Sequence, residues 1–492
     1  MKKEMMWALT PVLFLLVAVL ATLGVFGSDV VAEFSWAILL MASLVALAIG
    51  YFRTRASHHH LLRGIVSSAR QTMPAIPMLL LIGAVSAVWM ASGVVPLLIS
   101  VGMRFIYPEL FLAIAAMVCA VISILTGSSW TTIATIGVAF MGIGQMLGFS
   151  SGWIAGAIIS GAYFGDKISP LSDTTVLASS SAGVDLFTHI RYMLITTIPS
   201  LLIALGVYCI AGHMADLTSA VRQSDMAGAL EATFNLNPWI FVIPVVTLVM
   251  IALRLNTLLT LSLSTLLGLV GVFVFQPHIA VQLGSGVAAP WAPVAGAARL
   301  IFTSTSIPTG DPALDSLVAT GGMAAMMPTV LLVVSAMLFG GIMMGTGLLR
   351  CLTGGFSTMI RTRVSAVSLT AGSGLFLNCA TADQYLSLII GGNMYRTLYQ
   401  RLGLEARLLS RTMEDSVSVT SVLIPWNSCG MTQSSVLGVA TLAYLPYCVF
   451  NYLSPLMSVL IALTGFRIRQ TSKVGAAKYA AVRVSVSEPD RK

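Results

Sequence analysis

The 492-residue sequence predicts an all-α polytopic membrane protein with inverted repeats, re-entrant hairpins and interrupted helices. It has room for about 10–12 membrane elements at the length a crossing needs. Three observations predict this. Only 9% of the residues are charged and 57% are hydrophobic, against roughly 25% charged in a soluble domain. Long stretches carry no Asp, Glu, Lys or Arg, among them Met5–Ser28, Gln71–Met103, Leu110–Gly165 and Ser416–Phe466. A polar segment near the midpoint divides the chain into two apolar halves of similar rhythm.

The spans are expected to be helices. Lipid offers no partner to a bare peptide group, so only helices or closed barrels cross it. Barrel strands alternate with period two, and stretches such as Thr10–Leu23 do not. The first apolar run follows Lys2 and Lys3 like a secretory signal. It is too long for a signal core and shows no clean cleavage site, so it reads as the first transmembrane helix.

Charge orients the chain. Arg53, Arg55, Arg63 and Arg70 fall in the loop expected between the second and third apolar runs, with His58–His60. Asp29 and Glu33 lie between the first and second runs. Arg467, Arg469, Lys473, Lys478, Arg483, Arg491 and Lys492 fill the tail. Lys and Arg stay on the cytoplasmic side, so both termini of this inner-membrane, multi-pass chain are expected there. Topology accounts for the +8 net charge without nucleic acid; the lipid bilayer is the expected partner.

The expected divisions are scaffold helices and a basic loop over 1–70, a first repeat over 71–214, and a polar linker over 215–237 with Asp216, Arg222, Asp225 and Glu231. A second repeat over 238–466 and a basic tail over 467–492 complete the chain. A midpoint linker between similar halves is the mark of an inverted repeat. Each half has a small-polar break followed by an acidic, Pro-containing break. In the first these are Thr126–Trp130 (TGSSW) and Gly165–Thr175 (GDKISPLSDTT). In the second they are Gly372–Thr381 (GSGLFLNCAT) and Met413–Asn427 (MEDSVSVTSVLIPWN).

The acidic breaks are the candidate site. Asp166, Lys167 and Asp173 follow a 56-residue uncharged stretch, Leu110–Gly165. Charge at membrane depth is costly and usually faces an internal cavity. Pro170 interrupts the helix between the two aspartates, which is expected to free carbonyls near Asp166. Ser172, Asp173 and Thr174 suit the cap of the next half-helix. In the second half, Glu414 and Asp415 precede Pro425 and Asn427. Asp415 there mirrors the first site, and capping of a helix N-terminus is the competing reading of Glu414 and Asp415. Two uncharged breaks resemble hairpin tips: Thr126–Thr132, with Ser128, Ser129 and Thr131, and Leu377–Asp383, with Asn378, Thr381 and Asp383. Trp89, Gly93 and Pro96 mark a further break. Gly340, Gly341, Gly345 and Gly347 suit close helix packing.

These donors are carboxylates, hydroxyls and carbonyls, which suit a hard cation such as Na+. A desolvated carboxylate favours neutralisation by a proton or a cation, and both cannot occupy the same oxygens. Lys167 can pair with an aspartate when the cation is absent. No Arg is placed deep enough in the apolar runs to clamp a carboxylate, which favours simple ions. The six cysteines show no CxxC or Cys/His spacing, and no P-loop or Rossmann fingerprint occurs. No cofactor and no enzyme chemistry are expected.

Gly161–Thr175, Val184–Met193, Trp89–Pro96, Gly321–Leu348, Asp383–Ser387 (DQYLS), Ser410–Asp415 (SRTMED) and Leu423–Gly430 (LIPWNSCG) together resemble the NhaC-type sodium/proton antiporter family. The resemblance spans residues 89–430. It implies an inverted-repeat fold, a transport domain moving against a scaffold, a homodimer, and Asp166, Asp173 and Asp415 as ion-coupling residues. Val417–Ser418 stands where family members often carry Gly-Thr, and WNSCG where they often carry WNTCG. Both departures touch the second site. The alternative is a Na+- or H+-coupled carrier of small organic anions, malate- or lactate-like, or of amino acids.

Overall fold

The computed structural model describes residues 2–53, 56–105, 107–215, 228–253, 255–311, 314–315, 318–357 and 360–468. Arg55, the linker residues Asp216, Arg222 and Asp225, and the tail from residue 469 onward lie outside the described residues.

The first half comprises α1 (Lys2–Phe26), α2 (Ser28–Phe52), α3 (His58–Thr72), α4 (Ala75–Ala91), α5 (Val94–Phe105) and α6 (Phe111–Thr126). A short α7 (Ser129–Thr132) runs through a π turn into α8 (Val138–Met146). Then come α9 (Ser151–Ile168), α10 (Asp173–Ala182) and α11 (Leu186–Met214). The second half holds α12 (Val242–Ala252), α13 (Thr257–Phe275), α14 (Pro277–Leu283), α15 (Ala292–Phe302), α16 (Met327–Gly345) and α17 (Leu348–Ser357). It continues with α18 (Arg363–Thr381), α19 (Gln384–Arg401), α20 (Ala406–Met413), α21 (Ser428–Leu437), α22 (Thr441–Tyr444) and α23 (Val449–Thr464).

Thr305 and Thr320 form an isolated antiparallel bridge. Among the described residues, eight helices are long and apolar enough to cross a membrane, and the pair Thr441–Tyr447 and Val449–Thr464, bent by 56°, makes a ninth as one span. Val94–Met103, Pro238–Ile251 and Ala292–Phe302 are shorter apolar helices. Outer faces stay apolar: Leu13, Val17 and Leu20 of α1 are exposed, as lipid contact requires. The chain is a multi-pass membrane protein.

The basic segment after α2 is not a loop. His58–Thr72 is helical because Leu61, Ile65 and Ser68 recur at helical spacing on a face turned inward, while Arg63 and Arg70 stay exposed. That face rests on α16. A Cβ on Gly64 would stand 2.5 Å from Gly341 O and 2.7 Å from Gly345 Cα. Gly340, Gly341 and Gly345 act as packing residues, as the sequence suggests, whereas a Cβ on Gly347 would meet nothing within 4 Å and that residue instead turns the chain at φ 77.

The two halves repeat the same path. Thr126 and Thr381 end matching helices, Pro170 and Pro425 break matching helices, and Gly183 and Gly438 end matching half-helices in the left-handed region. Each pair is separated by the same distance (381 − 126, 425 − 170 and 438 − 183 are all 255). Hydrogen bonds follow the register. Ser123 Oγ donates to Ala162 O at 2.6 Å and, 255 residues on, Asn378 Nδ2 donates to Val417 O at 2.7 Å. Further upstream, α4, Gly93 and α5 correspond to α16, Gly347 and α17, with both glycines at positive φ. The repeats interlock reciprocally. The long α11 of the first packs on α20 of the second, and α23 of the second packs on α9 of the first. A two-fold relation between repeats produces such an exchange, as the inverted-repeat fold requires.

Candidate functional site

Two hairpin tips with one design frame the site. At the first, Gly127 turns the chain at φ 66 and Ser128 caps α7, accepting from Thr131 N at 3.2 Å. Thr126 Oγ1 accepts from Ser128 N at 3.2 Å and meets Thr132 Oγ1 at 3.1 Å. At the second, Ala382 turns at φ 56 and Asp383 caps α19, accepting from Leu386 N at 2.8 Å. Thr381 Oγ1 accepts from Asp383 N at 3.2 Å and meets Ser387 Oγ at 2.8 Å. The structural equivalent of TGSSWTT is therefore TADQYLS, which begins at the last residue of Gly372–Thr381. Ser128, Thr131, Thr381 and Asp383 all shape the tips. A side chain that caps a helix end satisfies its own backbone first.

Each tip meets a broken helix. α9 stops at Ile168, and Pro170 and Leu171 turn the chain before Ser172 caps α10. Ser129 donates to Asp166 Oδ2 through its backbone N at 3.1 Å and its Oγ at 2.7 Å. One oxygen of the half-buried Asp166 carboxylate is thus fixed, and the Ser172 hydroxyl at the N-terminus of α10 also acts on this carboxylate. The carbonyls of Asp166 and Lys167 are not free, because Thr175 Oγ1 donates to them at 3.3 and 3.0 Å. Asp173, expected beside Asp166 in the interior, stands in the first turn of α10 with its side chain exposed. In the second repeat Ser428 Oγ reaches Asp383 Oδ2 at 3.4 Å. Asn427 caps α21 and donates to Asn378 O at 3.2 Å. Asn378 Oδ1 is buried without a partner.

The capping reading of Glu414 and Asp415 fails. Both lie in a π turn, Glu414–Ser418, that continues α20, and π turns recur at functional positions. Adjacent helical residues point about 100° apart, so the two acids part company. Glu414 faces α10: Thr174 Oγ1 donates to Glu414 Oε1 at 3.0 Å, and Thr174 is itself 3.0 Å from the Ser172 hydroxyl. Glu414 Oε2 and Ser418 Oγ are buried and unpartnered. Glu414 also lies within electrostatic range of Asp166. Two carboxylates, one from each repeat, therefore flank the N-terminus of α10, and Glu414 has an oxygen to spare.

Asp415 faces the other way. It forms an ion pair with Lys167, both side chains sealed from solvent. Thr196 and Ser454 hydroxyls lie 3.1 Å from its Oδ1, and Ser458 Oγ lies 2.6 Å from its Oδ2. Lys167 also donates to Ser454 Oγ at 2.7 Å. Asp415, expected as a cation ligand, is saturated by its own protein. The pair joins the broken helices of the two repeats directly behind Asp166 and Glu414.

Residues 2–192 and 161–466 match the Na+/H+ antiporter family. The chain belongs to the Na+/H+ antiporter family. It is 34% identical to the Na(+)/H(+) antiporter NhaC of Alkalihalophilus pseudofirmus, over 87% of this chain and 90% of that protein. It is 31% identical to the malate-2H(+)/Na(+)-lactate antiporter of Bacillus subtilis, over 88% of each. It is 32% identical to the arginine/ornithine antiporter ArcD of Halobacterium salinarum, over 94% of this chain and 92% of that protein.

Within this Na+/H+ antiporter fold, two residues escaped the sequence reading. Glu414 was legible only as a neighbour of Asp415; the helical angle between them was the available signal. Arg411 overturns the expectation that no Arg lies deep. Its side chain has 0% exposure and its Nε is 3.9 Å from Asp415 Oδ2. It was hidden because Arg411 and Asp415 lie one turn apart, so a single helix face carries both into the core.

Proposed function

We propose that this protein exchanges Na+ for H+ across the membrane, with Asp166 and Glu414 as the carboxylates that hold one or the other. The observation that carries this is the pairing of two acids from different repeats at the end of a broken helix, each held through hydroxyls, with Glu414 Oε2 left unpartnered. Like charges so placed repel, and the repulsion is relieved by a proton or by a shared cation. Hard oxygen donors suit Na+. Competition for the same oxygens couples the two fluxes. The 34% identity to a protein named as a Na(+)/H(+) antiporter supports the reading. Both termini are taken as cytoplasmic, from the Lys and Arg distribution.

The test uses proteoliposomes enclosing a pH dye with an imposed proton gradient. Sodium addition dissipates the gradient for the parent, and neither Asp166→Asn nor Glu414→Gln responds although both insert. Parental rates in both variants would end the proposal. A second reading, exchange of a small organic anion, is favoured by the depth of Arg411 and by the relatives named for malate, lactate, arginine and ornithine. It gains if protons move only when such a compound is supplied with sodium.

A further inference from the structure

Arg411 is the anomaly of the buried core. Its Nε, Nη1 and Nη2 have no hydrogen-bond partner among the described residues. Arginine is always charged and offers five N–H donors. A buried charge without acceptors is severely unfavourable. The one nearby acid cannot serve, since Asp415 already takes Lys167, Thr196, Ser454 and Ser458, and 3.9 Å from Arg411 Nε is too long for a hydrogen bond. The Tyr192 ring, 4.6 Å from the guanidinium carbon, covers a face but accepts no N–H in the plane of the fork.

A second unpartnered group lies close by. His189 is buried on α11, and its Nδ1 is 2.8 Å from the hydroxyl of Ser410, the residue before Arg411. Ser410 Oγ donates to Arg407 O at 3.1 Å, so its lone pair receives the proton on Nδ1. That tautomer leaves His189 Nε2 as an acceptor, and Nε2 has no partner. Arg407 lies over the same Tyr192 ring at 4.6 Å and is 28% exposed. The stack Arg407, Tyr192, Arg411 thus runs from solvent to the core.

We infer that Arg411 and His189 form a binding site for a small carboxylate that carries a neighbouring hydrogen-bond donor. The guanidinium fork takes the carboxylate in the two-bond geometry that Arg favours, and His189 Nε2 accepts from the adjacent hydroxyl or ammonium. The site deepens the organic-anion reading and is independent of the Asp166 and Glu414 assignment, because none of its groups touches those carboxylates.

Thermal unfolding of the purified full-length protein tests it at fixed sodium concentration, with chloride replaced in turn by DL-lactate or propionate. Binding to the folded state alone raises the melting temperature saturably. Lactate is expected to raise it, and propionate, which lacks the hydroxyl, to raise it less. Arg411→Lys keeps the charge but loses the fork, and is expected to lose the lactate response. Its response to sodium chloride against choline chloride stays, which keeps the cation reading separate. The inference is overturned if lactate leaves the parent unchanged, if lactate and propionate act equally, or if Arg411→Lys keeps the full lactate shift. The parent's own response decides the matter should the variant fail to fold.

Discussion

Asp166 and Ser421 hold the same position in the two repeats, and their hydrogen bonds run in opposite senses. Asp166 accepts from the Ser129 hydroxyl at 2.7 Å, whereas the Ser421 hydroxyl shares its proton between Ser418 O at 2.7 Å and Gln384 Oε1 at 3.2 Å. Ser129 and Gln384 are themselves equivalent, each the first residue after its tip's cap. The scaffold is duplicated but the charge is not. One repeat offers an ionisable acceptor where the other has a neutral amide contact.

This asymmetry predicts that Ser421→Ala leaves sodium-driven proton movement within about fivefold of the parent, since a neutral hydrogen bond is worth only about 1 kcal/mol. Asp166→Asn removes it. Asp173→Asn is expected to keep exchange with a higher sodium KM, because the exposed Asp173 attracts cations toward Asp166 but does not hold them. Initial rates in proteoliposomes across a sodium titration check all three.

The Lys167–Asp415 pair predicts a stability pattern. Removing one partner strands a buried charge, at a cost of about 3–5 kcal/mol, while replacing both with apolar residues is often nearly neutral. Lys167→Met and Asp415→Leu are each expected to lower the melting temperature sharply, and the double variant to recover only part of the loss, because Asp415→Leu also removes the acid 3.9 Å from the buried Arg411. A double-mutant cycle in detergent measures it. Additive losses would mean the two side chains do not interact.

Much of this architecture was legible. The breaks at Gly93, Gly127 and Pro170 were marked by residue types that only a turn or a helix stop requires, and the glycines of α16 announced close packing. The site was half legible. Asp166 stood out because an acid follows 56 uncharged residues. The choice between Glu414 and Asp415 did not, because both are acids on one helix and only the packing of α10 and α23 decides which faces which. Ser128, Thr131, Thr381 and Asp383 were legible as polar tip residues, but a sequence does not separate capping from cation binding, since both use the same oxygens.

The two tips predict opposite responses to matched substitutions. Gly127 has φ 66, and a Cβ there would sit 2.5 Å from Leu171 Cβ. Gly127→Ala combines left-handed strain of about 1–2 kcal/mol with that clash, and is expected to misplace Ser129 and weaken sodium binding. Ala382 already adopts φ 56. Ala382→Gly relieves strain at similar geometry and is expected to raise the melting temperature or leave it unchanged. A drop on Ala382→Gly as large as that on Gly127→Ala would contradict the reading.

Asp185 predicts an acid-dependent loss outside the membrane span. It caps α11, accepting from Thr188 N at 3.0 Å, and that backbone hydrogen bond holds its carboxyl below the usual carboxylate value. A depressed folded-state value means the cap is fully stabilising above the unfolded carboxyl's value. The stabilisation is lost as pH falls through the folded value, because the unfolded chain then binds the proton more readily. Asp185→Asn keeps an accepting oxygen that does not titrate. Its melting temperature is therefore expected to fall less steeply than the parent's below about pH 4, where carboxylates titrate. Hydrogen exchange at the first turn of α11 localises the effect: the Thr188 amide loses protection on acidification in the parent and keeps it in Asp185→Asn. Equal acid sensitivity at Thr188 in both proteins would remove Asp185 as the cause.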